Sequence, residues 1–145
     1  MTRLSRHGRR DEGSATLELA ILTPALFALL ALVVLAGRIE VAGGAVEQAS
    51  AAAARDASLA RTPAAARQAA LAAATASLAG QDLHCASVTV VVDTGGFAAP
   101  VGTVAEVSAR VSCTVNMADL AIPGTPGTRT LTAETSSALD RYRSR

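Results

Sequence analysis

Hydrophobic and polar positions change their rhythm several times along this chain, and each rhythm predicts a different element. From Leu19 to Gly37 the sequence reads LAILTPALFALLALVVLAG, with no charged residue and Thr23 as the single polar side chain. About 20 such residues in a helix span roughly 30 Å of hydrocarbon. Glu18 and Arg38 bracket the run. A buried core helix is the weaker reading, because the rest of the chain holds too little apolar mass to enclose a helix that is hydrophobic all round. Pro24 stands in the second turn of the run. It removes one backbone donor there and offers a place for a kink, which membrane helices tolerate.

Past Gly37 the pattern becomes amphipathic. Ala42, Ala45, Val46, Ala49, Ala52 and Ala53 recur at three- and four-residue spacing, while Glu47, Gln48, Arg55 and Asp56 fall elsewhere. The helix is therefore expected to continue beyond the apolar run. Gly43-Gly44 costs it about 1 kcal/mol per glycine relative to alanine, so a hinge is expected there. Thr62-Pro63 reads as an N-cap followed by proline at the first helical position. A second, Ala-rich helix then runs to Ala79, with Gly80 as its stop.

After Gly80 the period shortens to two. Val88-Thr89-Val90-Val91-Val92 is β-branched throughout and is broken by Thr94-Gly95-Gly96. Val107, Ala109, Val111, Cys113 and Val115 alternate with Ser108, Arg110, Ser112 and Thr114, a half-buried strand. Residues 122–127, IPGTPG, form a loop by composition, and Thr128–Thr135 gives a third, weaker strand. The expected fold class is α+β: a long N-terminal transmembrane helix continuing into an Ala-rich helical region, then a small antiparallel β-sheet of about three strands. The expected organisation is a basic leader over 1–13, a membrane helix over 14–37, Ala-rich helices over 38–80 and a β-rich region over 81–145.

Composition sharpens this picture. Alanine supplies much of the apolar half of the chain, and Phe27, Phe97 and Tyr142 are the only aromatics. Alanine buries little area, so a domain outside the membrane gains less hydrophobic free energy than the apolar fraction suggests. A disulfide or neighbouring subunits would help such a domain. The formal net charge is +1, which gives no argument for a nucleic-acid partner. Its distribution says more. Within residues 1–13, Arg3, Arg6, Arg9 and Arg10 stand against Asp11 and Glu12. That excess predicts a single-pass protein of the cytoplasmic membrane with its N-terminus inside and its C-terminal region outside. A secretory signal cut near Val34-Leu35-Ala36 is the competing reading. The apolar run is longer than such signals use, and an acid at its threshold serves no purpose in one.

Cys85 and Cys113 are the only cysteines. In a hairpin of the two valine strands centred near residue 99 they fall opposite each other, within disulfide range. Two buried free thiols fit the same positions, and an exporting compartment favours the disulfide. Candidate catalytic chemistry is sparse. His7 lies in the leader and His84 stands beside Cys85, without the ligand number or loop spacing of a zinc site. Ser is plentiful, yet a lone His outside the leader with no nucleophile signature argues against a triad. Thr94-Gly95-Gly96 lacks the Lys-Ser/Thr ending of a phosphate-binding loop. Neither an enzyme, a metal, a cofactor nor a small-molecule substrate is expected.

The densest signal lies at the membrane boundary. Arg9-Arg10-Asp11-Glu12-Gly13-Ser14-Ala15-Thr16-Leu17-Glu18 ends a basic leader in glycine and places a glutamate five residues later, at the threshold of the apolar helix. Gly, four small or apolar residues, Glu and a long apolar helix resemble a prepilin-peptidase site. The string from Gly13 to Leu26, GSATLELAILTPAL, resembles the N-terminus of TadE-like proteins, pseudopilins of tight-adherence pilus systems. Leu131-Thr132-Ala133-Glu134 and Asp140-Arg141-Tyr142-Arg143 resemble that family's closing strand and tail. Where the family often carries an aromatic after the glutamate, this chain has Leu19.

The resemblance implies cleavage between Gly13 and Ser14, and a pilus-assembly role in the membrane or the filament. It implies as partners a prepilin peptidase, the inner-membrane assembly platform and other pilin-like subunits. Glu18 would set register between subunits. Cleavage would free the Ser14 amine one helical turn from Glu18, able to pair within the chain or across subunits. Such a pair favours specificity more than net stability. Glu18 could instead pair incidentally with Arg9 or Arg10 at the interface. The contrasting readings are an unprocessed single-pass anchor carrying a binding or scaffold domain, and a secreted small domain.

Overall fold

The computed structural model describes residues 12–120 and 126–142. Arg3, Arg6, His7, Arg9, Arg10 and Asp11 of the expected leader lie outside the described residues, as do positions 122–125 of the expected loop and Arg143 of the tail. The elements are α1 (Glu12–Leu59), α2 (Pro63–Gly80), β1 (Ser87–Asp93), a 3₁₀ turn (Gly95–Ala98), β2 (Glu106–Asn116), a single-turn α3 (Met117–Leu120) and β3 (Thr128–Ala138). A long apolar helix, a second helix and a three-stranded antiparallel sheet make the α+β fold expected from the sequence. The chain divides into two compact units between Gly37 and Arg38.

In the first unit the helix exposes its large apolar side chains, among them Leu22, Leu26, Phe27, Leu30 and Val33. Pro24 lies inside the helix, and the Thr23 hydroxyl donates to the Leu19 carbonyl one turn back at 2.6 Å. The carbonyl left without a donor by Pro24 is that of Ala20, and the Thr23 back-bond falls on the carbonyl beside it.

The second unit is built on small residues. Its share of α1 buries Ala42, Ala45, Val46, Ala49, Ala53, Ala54 and Ala57. Ala52 is half-buried, and Glu47, Gln48, Arg55 and Asp56 are exposed. The expected hinge at Gly43-Gly44 is absent: α1 runs through both glycines. Burial of Ala42, Ala45 and Val46 on either side offsets the intrinsic cost of about 1 kcal/mol per glycine.

Helix α2 begins as its sequence predicts, with the Thr62 hydroxyl accepting from the Ala65 backbone N–H at 3.2 Å and Pro63 opening the first turn. Ala66, Ala70, Ala74 and Leu78, four residues apart, form its buried stripe. The helix ends at Gly80, one residue past the expected Ala79. Gly80 is still helical, and the left-handed residue is Asp82 at φ 55°. Aspartate adopts that conformation more readily than most residues, so the turn does not require glycine.

The sheet order is β1-β2-β3, antiparallel throughout, with β2 central. The alternation on β2 is realised in full: Val107, Ala109, Val111, Cys113 and Val115 are all buried. Val88, Val90 and Val92 of β1 and Leu131 and Ala133 of β3 flank them and pack on the same core. β3 extends to Ala138, three residues beyond the expected Thr135. Ser87 pairs with Thr114 and Asp93 with Ser108, so the hairpin is centred between Pro100 and Val101 and not at residue 99. In the loop, Phe97 turns inward from the 3₁₀ segment. A Cβ at Gly96 would run into the Glu106 backbone, which makes that glycine a requirement of close approach.

The other face of the sheet is polar. The Arg110 guanidinium donates to Glu134 through Nε at 3.0 Å and Nη2 at 2.6 Å. Ser112 and Thr132, and Thr114 and Thr130, form cross-strand hydroxyl pairs at 3.0 Å each. Such pairs support register in the way that i,i+4 pairs support a helix.

Candidate processing and assembly site

The Gly13–Ser14 bond lies in the first turn of α1, and Glu18 stands one turn further along the same helix. Glu18 is exposed, and among the described residues its carboxylate has no hydrogen-bonding or ion-pair partner. From Leu19 onward the helix presents apolar side chains on every side. The arrangement is thus one acid at the base of a cylinder that offers no polar group for it except Thr23, whose hydroxyl is already committed to Leu19. A carboxylate so placed is stable facing water or headgroups, and costs free energy if carried deeper without a counter-charge. Arg9 and Arg10, the alternative partners for it, lie outside the described residues.

In the second unit the structure joins Cys85 to Cys113, with Cα atoms 5.5 Å apart. The two are not ladder partners. Cys113 pairs with Val88, and Cys85 precedes β1 in the connector from α2. The bridge therefore ties a loop to the central strand across a shifted register. His84, next to Cys85, is exposed, with its Nε2 4.0 Å from Asp82 Oδ1. Among the described residues no group of three or more His, Cys, Asp or Glu side chains could hold a metal ion.

Several residues that position the second unit were not singled out from sequence. Ser50 is fully buried, donates to the Glu47 carbonyl at 2.8 Å and shares a hydrogen bond with the Thr135 hydroxyl at 2.7 Å. Ser137 donates to Ser58 at 3.2 Å, a second polar tie between α1 and β3. The signal for Ser50 was present, because it falls in phase with Val46 and Ala53 on the buried stripe. Arg67, which donates to Thr94 at 2.9 Å, had no sequence signature. The guanidinium of Arg110, by hydrogen bond and charge, holds the Glu134 carboxyl below its ordinary pKa.

Among the described residues one helix, near the N-terminus, is long and apolar enough to cross a membrane, which fits a membrane-anchored protein. The fold thus combines a candidate membrane helix with a small disulfide-tied α+β unit. The sequence model of the TadE-like protein family matches residues 13–55, so the chain carries a TadE-like segment from the candidate cleavage site to well inside the second unit. That segment suggests a protein associated with the Tad pilus and its membrane machinery. No curated protein and no solved structure matches the chain.

Proposed function

We propose that this chain is a TadE-like pseudopilin, a minor pilus subunit processed by a prepilin peptidase and acting in pilus assembly or secretion. In this reading the protein is inserted with its N-terminus inside and cut between Gly13 and Ser14. It then packs through α1 against other pilin-like subunits and the assembly platform, with the second unit outside. It is a structural protein and not an enzyme, and it takes no nucleic acid or small-molecule substrate.

The observation that carries this reading is the family match beginning at Gly13, the residue before the candidate scissile bond. The geometry supports it in two ways. The bond lies in a terminal turn of α1, where backbone groups lack helical partners on one side and opening costs less than in mid-helix. The new Ser14 amine would also supply the positive charge that the exposed Glu18 lacks among the described residues. In an assembly, the amine of one subunit meeting Glu18 of its neighbour neutralises both charges and fixes axial register.

Glu18→Ala tests the role. The pseudopilin reading expects normal membrane insertion with pilus assembly reduced at least about tenfold, since an unpaired buried charge costs more than 1.4 kcal/mol. Unchanged assembly would favour a plain membrane anchor carrying a binding or scaffold domain.

A further inference from the structure

The two cysteines of the disulfide stand in different surroundings. Cys113 is 0% exposed, in the middle of β2, among Val111, Val115 and the helix-facing core. Cys85 is partly exposed. It lines an open cleft of about 340 Å³ between the end of α2 and the connector, lined also by Leu78, Leu83 and Val88 and by the exposed Asp82 and His84. Within the connector, Leu83 N–H donates to the Leu78 carbonyl at 3.2 Å and Ala86 N–H to the Thr114 carbonyl at 2.7 Å, and Leu83 and Cys85 pack against the edge of the core.

Thiol–disulfide exchange requires a thiolate to reach one particular sulfur, and access decides which. We propose that Cys85 is the sulfur through which an external dithiol/disulfide exchange partner makes and breaks this bridge, with Cys113 the internal resolving thiol. In the forming direction the Cys85 thiolate attacks the partner's disulfide, giving a mixed disulfide and releasing one partner thiolate. The Cys113 thiolate then attacks Cys85 Sγ, closing the Cys85–Cys113 bond and expelling the second partner thiolate. Both released thiolates take up protons. The chain loses two electrons and the partner's disulfide gains them. In the breaking direction an external thiolate attacks Cys85 Sγ from the cleft, and Cys113 leaves as a thiolate that then takes up a proton from solvent. The cleft fits a small thiol or the exposed active-site sulfur of a protein partner. Asp82 among its lining residues disfavours a partner that carries further negative charge beside the attacking sulfur. The assignment does not depend on filament assembly.

The test uses the oxidised full-length chain in detergent, exposed to 2-mercaptoethanol, quenched with acid and mapped by mass spectrometry. The mixed disulfide is expected on Cys85 with Cys113 as the free thiol. Adducts on Cys113, an equal mixture, or exchange only in denaturant would overturn the assignment. A second readout compares single-thiol variants under native alkylation. Cys113→Ser, which leaves Cys85, is expected to react at least about tenfold faster than Cys85→Ser, which leaves Cys113, because reactivity follows access. Equal rates in variants with native circular dichroism would contradict it.

Discussion

The two units of this chain use alanine in opposite ways. Before Gly37, Ala25, Ala28 and Ala31 lie exposed between exposed leucines, on a surface that only a bilayer or other helices would cover. Beyond Arg38, Ala49, Ala53, Ala57, Ala66, Ala70 and Ala74 are 0% exposed and let two helices approach a sheet closely. For insertion, alanine in the first unit has only to be apolar and helical. In the second its size is the point. A core of small side chains gains little area per residue, so polar ties and a covalent link contribute more than in a leucine core. The difference teaches that composition assigns neither role. The spacing of large residues around each alanine does.

The largest effect that would sharpen the contrast comes from the disulfide. Replacing both cysteines by serine frees a loop with a sequence separation of 28, and about 3–4 kcal/mol of stability is expected to be lost from the second unit. Membrane insertion should be unaffected. Urea unfolding of the second unit, read beside alkaline extraction of membranes, separates the two. A loss below about 1 kcal/mol would mean that the Ala-rich core holds without its link.

Size sensitivity comes next. Ala53→Leu overpacks the buried α1 face and is expected to cost about 1–3 kcal/mol in the second unit. Ala28→Leu, on the exposed apolar helix, should leave both insertion and unfolding unchanged or slightly improved. Equal tolerance at the two sites would break the comparison. Thr62→Ala removes the cap of α2 and should cost about 1 kcal/mol, visible as a lower Tm of the second unit alone.

The smallest effect is acid sensitivity. Glu134 is held below its ordinary pKa in the folded protein by the Arg110 hydrogen bond and charge. A depressed carboxylate contributes its stabilisation fully above the ordinary glutamate pKa and loses it as pH falls through the lowered value. Tm should therefore decline slightly across that acidic window, and Glu134→Gln should flatten this part of the profile. Because the pair is exposed, the slope is shallow and weakens further with salt.

Long periodic segments were legible from sequence, and special geometry was not. The apolar run, the Thr62-Pro63 start and the β2 alternation each repeat one physical signal over several residues or place a known cap, and the structure follows them. The stop at Gly80 held to within one residue, with Asp82 the left-handed position after it, whereas Gly43-Gly44 stayed helical between buried neighbours. Strand register was not legible, because it is set in part by a loop that carries its own 3₁₀ turn and the buried Phe97. At the membrane boundary the order of residues Gly13, Ser14 and Glu18 was readable. Their function depends on a bond being cut and on neighbours, which no single chain encodes as packing.

The most direct test of the central claim is the N-terminal sequence and intact mass of the membrane-associated protein, from cells with and without the prepilin peptidase. A mature chain starting at Ser14 is expected only when the peptidase is present. An N-terminus left intact before Gly13 in both strains would contradict processing, remove the amine proposed for Glu18 and reduce the protein to a membrane anchor.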